Sequence, residues 1–158
     1  MTIKSKTMDT LITEEQAFRK LSAMCARAEH CRYEITGKMR RWQMPEDIQA
    51  RVMERLVKNK YVDDERYSRA FVRDKVRYNK WGRLKVAQAL RMKRIPDDVI
   101  AAALDGIDRD EYLGILRGLL QAKRKSTKAD SEYALKMKLM RFAASRGFTA
   151  EEAGEEIE

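Results

Sequence analysis

The segment WQMPEDI, residues 42–48, has a counterpart of the same pattern 51 positions later, KRIPDDV at residues 93–99. Both segments read as the end of one helix, then an apolar residue, a proline, two acids and an aliphatic residue. Proline suits the first helical position because its missing amide hydrogen needs no partner there, and acids favour the positive end of the helix dipole. A looser copy, RGFTAEEA at residues 146–153, places Phe148 at the apolar position. The chain is therefore predicted to repeat with a period of about fifty residues.

The composition favours helices in every copy of this repeat. Two prolines and seven glycines occur in 158 residues, and the better helix formers dominate the remainder. No segment alternates apolar and polar residues with β-branched enrichment, so we expect no sheet. The predicted helices, three to a copy, are 14–29, 32–41 and 45–58, then 64–79, 83–93 and 96–104, then 109–125, 131–145 and 150–156.

These helices predict an all-α protein of tandem three-helix repeats. A unit of about fifty residues buries little apolar surface alone, so we expect three units and about nine helices, stacked into an elongated, curved rod. The predicted boundaries are an N-terminal tail over 1–12 and three-helix repeats over 13–60, 61–107 and 108–158.

The positive charge of the chain is concentrated in its first two-thirds. The net charge is +9, but residues 17–94 hold 22 Lys and Arg against nine Asp and Glu. Within 73–94, nine basic residues stand with one acid, Asp74. A concentration of this kind favours a polyanionic partner through long-range attraction.

Projected as a helix, KYVDDERYSRAFVRDKVRYNKWG at residues 60–82 has a basic stripe beside an apolar sector. Tyr67, Phe71 and Tyr78 fall in the apolar sector and are predicted to pack in the core, with stacking on unpaired bases as the alternative. Like charges three and four positions apart repel one another, so the stripe carries a small cost unless a partner neutralises it. The predicted partner-binding residues are the stripe and the basic positions that flank it: Arg66, Arg69, Arg73, Arg77, Lys80, Arg83, Lys85, Arg91, Lys93 and Arg94.

The sequence leaves two interpretations of this surface open. It is either a solvated face that keeps the protein soluble or a contact surface for a filament or a nucleic acid. Trp42 and Trp81 stand beside basic residues, so packing and contact with bases or a partner both remain alternatives for them. A nucleic-acid partner would give steep salt dependence and little sequence preference, whereas a protein partner would use a few Arg–carboxylate anchors.

The sequence gives little support for an enzyme or for a metal-binding protein. Cys25, His30 and Cys31 lack the fourth ligand of a closed metal site, and no nucleophile–base pair or Gly-rich phosphate loop is evident. Asp63 and Asp64 stand at a predicted helix start, where capping is the expected role. We therefore predict no enzymatic activity, no metal and no cofactor.

The chain shows no signal for a membrane or for export. Its longest uninterrupted apolar run, residues 99–104, is far shorter than the roughly 20 residues of a membrane span. The N-terminus lacks the continuous apolar stretch of a signal peptide. A cytoplasmic protein without a membrane partner is expected.

One segment, YVDDERYSRAFVRDK at residues 61–75, resembles the signature of the RecX regulatory proteins of bacterial recombination. Segments 28–39, AEHCRYEITGKM, and 138–148, KLMRFAASRGF, are similar to that family's first-repeat segment and third-repeat ending. Ser68 stands where the family often has Ala. The matching positions are the apolar pair Tyr61/Val62, the acidic pair Asp63/Asp64, the aromatic Tyr67 with Ser68, Phe71/Val72 and the basic Lys75.

The resemblance implies three tandem three-helix units without catalytic activity. Members of that family lie along the groove of the RecA filament on single-stranded DNA, restrain its ATP hydrolysis and strand exchange, and favour its disassembly. We therefore expect a monomeric regulatory protein whose partner is the RecA filament, with direct contact to single-stranded DNA open. The alternative is a non-sequence-specific nucleic-acid-binding protein that acts independently of RecA.

Overall fold

Residues 11–157, the part of the chain that the computed structural model describes, form nine α-helices and contain no β-strand. The predicted all-α class with about nine helices is confirmed. Of the predicted tail, residues 1–12, all but Leu11 and Ile12 lie outside the described residues. The helices are α1 (Glu14–Arg27), α2 (Arg32–Arg41), α3 (Glu46–Lys58), α4 (Asp64–Arg77), α5 (Arg83–Met92), α6 (Asp97–Asp105), α7 (Arg109–Ser126), α8 (Glu132–Ser145) and α9 (Ala150–Ile157).

The chain divides into two compact units, the first ending at Tyr67 and the second beginning at Ser68. The first unit holds α1 to α3 and the start of α4, and the second holds the remainder of α4 and α5 to α9. We call α1–α3, α4–α6 and α7–α9 the three repeats, although their predicted bounds of 13–60, 61–107 and 108–158 stay a prediction. Within residues 11–157, no helix combines the length and apolar content needed to cross a membrane.

The core of the first unit is built from one face of each helix. α1 and α2 both pack against α3. Leu21 from α1, Ile35 and Met39 from α2, and Val52 and Leu56 from α3 are all buried there. The spacing of three or four residues within each helix places these side chains on a single stripe, which explains why the helices pack against one another.

The second helix of every repeat ends in the same hydrogen-bonded turn. Its residue in the left-handed region is Gln43 (φ 57°), Arg94 (φ 58°) or Gly147 (φ 95°). The N–H of the following apolar residue then donates to the carbonyl five residues earlier, as in a Schellman motif. These bonds are Met44 to Met39 at 3.2 Å, Ile95 to Leu90 at 3.1 Å and Phe148 to Ala143 at 3.1 Å. Because all three apolar residues are buried, the alignment of the loose third copy with the other two is confirmed.

Gln43→Gly is expected to stabilise the first unit by up to about 1 kcal/mol. Glycine removes the cost of about 1–2 kcal/mol that a side chain incurs in the left-handed region. Roughly half of this stabilisation is lost again, because glycine has greater conformational freedom in the unfolded chain. Urea unfolding measures the change. Ala50→Gly on the exposed face of α3 is the control, with an expected loss of about 1 kcal/mol. A loss of stability in Gln43→Gly would contradict the assigned backbone strain.

The helix starts agree with the sequence patterns to within one residue. Thr13 and Gln16 form a reciprocal capping box at α1, with hydrogen bonds of 3.1 and 3.0 Å. Asp63 caps α4 by accepting hydrogen bonds from two backbone N–H groups of its first turn, which confirms its predicted role. Pro45 and Pro96 lie one position before the first helical residue, not at it as predicted. Their ψ angles of 144° and 148° are extended, so each proline is the N-cap.

Within the second unit, the turn before α5 is hydrogen-bonded to the turn before α9. The Gly82 N–H donates to the Arg146 carbonyl at 2.7 Å, and the Leu84 N–H donates to the Gly147 carbonyl at 3.0 Å. A Cβ on Gly82 would lie under 3.0 Å from the carbonyl carbon of Gly147, closer than real Cβ contacts come. The two backbones therefore touch directly, which requires glycine at this position.

Tyr112 of α7 reinforces the same junction. Its hydroxyl accepts a hydrogen bond from the Arg83 N–H at 3.0 Å and donates one to Glu152 at 3.3 Å, and its ring centroid lies 5.3 Å from that of Phe148. Burial raises the pKa of Tyr112 to about 12, so the hydroxyl stays protonated at neutral pH and remains a donor. α5, α7 and α9 thus meet around one buried aromatic pair.

α4 is shorter than predicted, and this changes the surroundings of two residues. The helix ends at Arg77 instead of residue 79, and Lys80 lies in the left-handed region with a φ of 57°. The backbone N–H of Trp81 donates to the Lys75 carbonyl at 3.0 Å. Lys80 therefore lies in the turn and not on the helical stripe. Tyr78 is 79% exposed, so the prediction that it packs in the core is wrong. The projection failed because it continued the helix past its end.

Candidate functional site

Three of the predicted arginines line one open groove in the second unit. Arg69, Arg73 and Arg77 follow one another along α4 at its edge, and the groove has a volume of about 270 Å³. Val72 and Val76 lie between them and are buried. The rest of the lining comes from the end of α6, the start of α7 and the turn between them: Ala103, Gly106, Ile107, Asp108 and Glu111.

Arg77 is already paired within the unit. Its guanidinium makes a bidentate contact with Glu111, with Nε to Oε1 at 2.6 Å and the second N–H to Oε2 at 3.3 Å. This hydrogen bond raises the pKa of the Arg77 guanidinium. Because bidentate Arg–carboxylate pairs fix geometry, Arg77 joins α4 to α7 and holds one end of the groove.

Arg69 and Arg73 are the arginines of the groove whose positive charge is not neutralised by a strong ion pair within the unit. Arg73 Nε lies 3.6 Å from Asp74, and both side chains are more than half exposed, so this contact contributes little. Arg69 is exposed and has no ion-pair partner among the described residues. Two guanidinium groups beside the half-buried Ile107 can bind a carboxylate and an apolar side chain of one partner segment.

Arg66, which the sequence assigns to the same stripe, is engaged inside the first unit. Its Nε donates to Glu29 at 2.6 Å, and a second N–H donates to the Tyr61 carbonyl at 3.3 Å. The hydrogen bond to Glu29 raises the pKa of the Arg66 guanidinium. Asp64 is used locally too, since its carboxylate accepts the Arg32 N–H at the start of α2.

The basic residues around the turn before α5 contact aromatic rings. The Arg83 guanidinium lies 4.8 Å from the Tyr112 ring centroid, and its Nε is buried without a hydrogen-bond partner in the described structure. Lys85 and Lys75 lie 4.7 and 4.9 Å from the centroid of Trp81. These distances are typical of cation–π contacts, which hold the cations close to the protein surface.

The remaining predicted residues lie at the end of α5 and in the turns. Arg91 Nε is 3.2 Å from Asp97, with both side chains largely exposed. Lys93 is the C-cap of α5, and Arg94 occupies the left-handed position that follows it. Lys80 is exposed in the turn after α4. None of these residues lines the groove.

Sequence reasoning identified one wall of the groove and missed the other. A helical projection relates only residues of one helix, so it brought Arg69, Arg73 and Arg77 together. The missed wall begins at Ala103 and ends at Glu111. The spacing of Asp108 and Glu111 is that of a capping box, which predicts a helix start but not a contact with α4. The Glu111 N–H does donate to Asp108 at 2.9 Å, but Glu111 points its carboxylate to Arg77.

The cysteines form no metal site in the described part of the chain. Cys25 is half-buried and Cys31 is buried, and the two do not form a disulfide. Burial raises the pKa of the Cys25 thiol, which disfavours the thiolate that binds metals. Among residues 11–157, no group of three or more His, Cys, Asp or Glu side chains is arranged to hold a metal ion.

The helices and the groove define an all-α repeat protein with a groove edged by arginines. Comparison with known families gives two matches: the second three-helix domain of RecX over residues 63–104 and the third over residues 110–155. The chain belongs to the RecX family. The predicted tandem three-helix architecture and the family resemblance are thereby confirmed.

Relatives in sequence and in structure agree with this assignment. Regulatory protein RecX of Mycobacterium sp. (strain KMS) is 31% identical over 140 residues, which is 86% of this chain and 76% of that protein. The Prosthecochloris aestuarii protein of the same name is 33% identical over 123 residues, 78% and 79% of the two chains. The crystal structure of RecX from Lactobacillus salivarius has a TM-score of 0.82 at 19% identity, covering 91% of this chain and 94% of that one.

Proposed function

We propose that this protein binds the RecA filament on single-stranded DNA, inhibits its ATPase and strand exchange, and so modulates recombination and DNA repair. Within the molecule, the observation that carries the proposal is the groove edged by Arg69, Arg73 and Arg77 with buried valines between them. Membership of the RecX regulatory family supports the same conclusion. We further propose that it acts by binding alone, as a cytoplasmic monomer without a cofactor.

The groove favours a protein partner over a nucleic-acid backbone. Phosphates would neutralise Arg69 and Arg73 but would leave the half-buried side chain of Ile107 in the groove exposed to water. A protein segment that carries an apolar side chain and a carboxylate would satisfy both parts of the groove. The other predicted basic residues then serve as outer contacts, where charge raises the association rate more than the affinity. Arg66 and Arg83 act chiefly on the local structure through Glu29 and Tyr112.

Inhibition follows from binding one state of the filament better than another. The filament changes during ATP turnover, and a ligand slows that turnover when it prefers one of the states. Several weak contacts from repeated modules add through multivalency when they engage one polymer.

Titration of the full chain into RecA assembled on single-stranded DNA is expected to lower the rate of ATP hydrolysis to a plateau. The parallel titration uses the same DNA without RecA. Tight binding to naked DNA with no effect on the filament ATPase would reject the proposal and favour a nucleic-acid-binding protein independent of RecA. Inhibition should weaken only moderately between about 50 and 200 mM salt, since several phosphate contacts would cost 10³-fold or more over that range.

A further inference from the structure

A second cationic pocket lies within the first unit and shares no residue with the groove. Its volume is about 330 Å³, at the lower end of the range for small-ligand sites. It opens between α1 and the C-terminal half of α2. The residues that line it are Lys20, Ala23, Met24, Arg27, Lys38 and Trp42.

The charge of this pocket is uncompensated in the described structure. Three of its lining residues are cations and none is an acid. Lys20, Arg27 and Lys38 have no ion-pair partner within residues 11–157. The C-terminal end of α2 contributes a partial negative charge of about one half, which the basic residues of its last turn exceed. The pocket therefore attracts an anion.

Trp42 gives the pocket a rigid aromatic wall. The backbone N–H of Trp42 donates to the Lys38 carbonyl at 3.1 Å, and the indole ring packs in part against the core of the first unit. Lys20 Nζ and Lys38 Nζ each lie 5.9 Å from the ring centroid, at the outer limit of a cation–π contact. Trp81, by contrast, has two ammonium groups within 5 Å of its centroid. The ring of Trp42 is thus held less closely by cations than the ring of Trp81.

We propose that this pocket binds a nucleobase that carries a phosphate. The base stacks on Trp42, and the phosphate lies between Lys20, Arg27 and Lys38. Stacking on an aromatic side chain beside a cationic surface is how proteins hold unpaired bases without reading their sequence. A single strand of nucleic acid and a free nucleotide share this chemistry. An acidic protein segment fits less well, because carboxylates alone would leave the ring of Trp42 without a stacking partner. The two lysines bind phosphate well as point charges.

The test uses Trp81→Phe, which leaves Trp42 as the only tryptophan of the full chain. Its fluorescence is titrated with oligothymidylate, with ATP and AMP, and with a polyglutamate peptide. Saturable quenching by the oligonucleotide is expected, and quenching by ATP or AMP as well would extend the site to free nucleotides. Binding of wild-type protein to a labelled oligonucleotide, followed by anisotropy, checks the result without the Trp81 substitution.

Lys20→Gln/Lys38→Gln is expected to weaken this binding by at least tenfold. Lys58→Gln/Lys60→Gln removes the same charge from the same unit outside the pocket and is expected to change the affinity less than threefold. Absence of saturable binding with every probe would overturn the proposal. So would an equal loss in both variants, or binding of polyglutamate as tight as that of the oligonucleotide. RecA is absent from these measurements, so their outcome is independent of the filament hypothesis.

Discussion

Arg69→Glu/Arg73→Glu is expected to abolish inhibition of the filament ATPase while leaving the helical content unchanged. Both side chains are exposed at the edge of the groove, so their reversal disturbs no packing in the described structure. Anchors of this type contribute roughly 2 kcal/mol or more each, so the half-inhibitory concentration should rise by more than about 100-fold. ATPase titrations and circular dichroism of the same samples measure the two quantities.

Arg77 is left out of this variant because its guanidinium holds Glu111. Reversing it would place two carboxylates together and loosen α4 from α7, which would confuse binding with stability. Lys125→Glu/Lys128→Glu is the matched control, since it changes the net charge equally at exposed positions away from the groove. Full inhibition by Arg69→Glu/Arg73→Glu would reject the groove as the contact site. A similar loss in the control would mean that net charge, and not the groove, governs the interaction.

Gly82→Ala is expected to lower the stability of the second unit by about 3–5 kcal/mol. The added methyl group would overlap the backbone of Gly147, and backbone cannot move aside as a flexible side chain can. Separating the two turns loses the hydrogen bonds from Gly82 and Leu84, at about 1 kcal/mol each, in addition to the cost of overpacking. For a unit of this size, the midpoint of thermal unfolding should fall by more than about 10 °C.

Gly114→Ala is the control for this substitution. Gly114 lies within α7, and a Cβ there meets nothing within 4 Å, so alanine should raise helix stability by about 0.5–1 kcal/mol. Calorimetry of the two variants beside the wild type decides the matter. If Gly82→Ala unfolds at the wild-type temperature, the two turns do not touch as closely as described.

The candidate site was predictable only where it lies on one helix. Arg69, Arg73 and Arg77 could be grouped from their spacing alone, because a helix places residues three and four apart on one face. Tyr78 and Lys80 were misplaced by the same rule, since nothing in the spacing marks where α4 ends. The left-handed conformation of Lys80 and the hydrogen bond from Trp81 to Lys75 terminate the helix, and both depend on the turn that follows.

The sequence by itself determined the all-α class, the repeat and the helix starts. These follow from the side-chain period and from capping residues that act within one turn, as at Thr13 and Asp63. Only the tertiary structure decided which arginines are free to bind a partner. Arg77 meets Glu111 across 34 positions and Arg66 meets Glu29 across 37. Such pairs leave no periodic signal because packing, not spacing along the chain, brings their charges together.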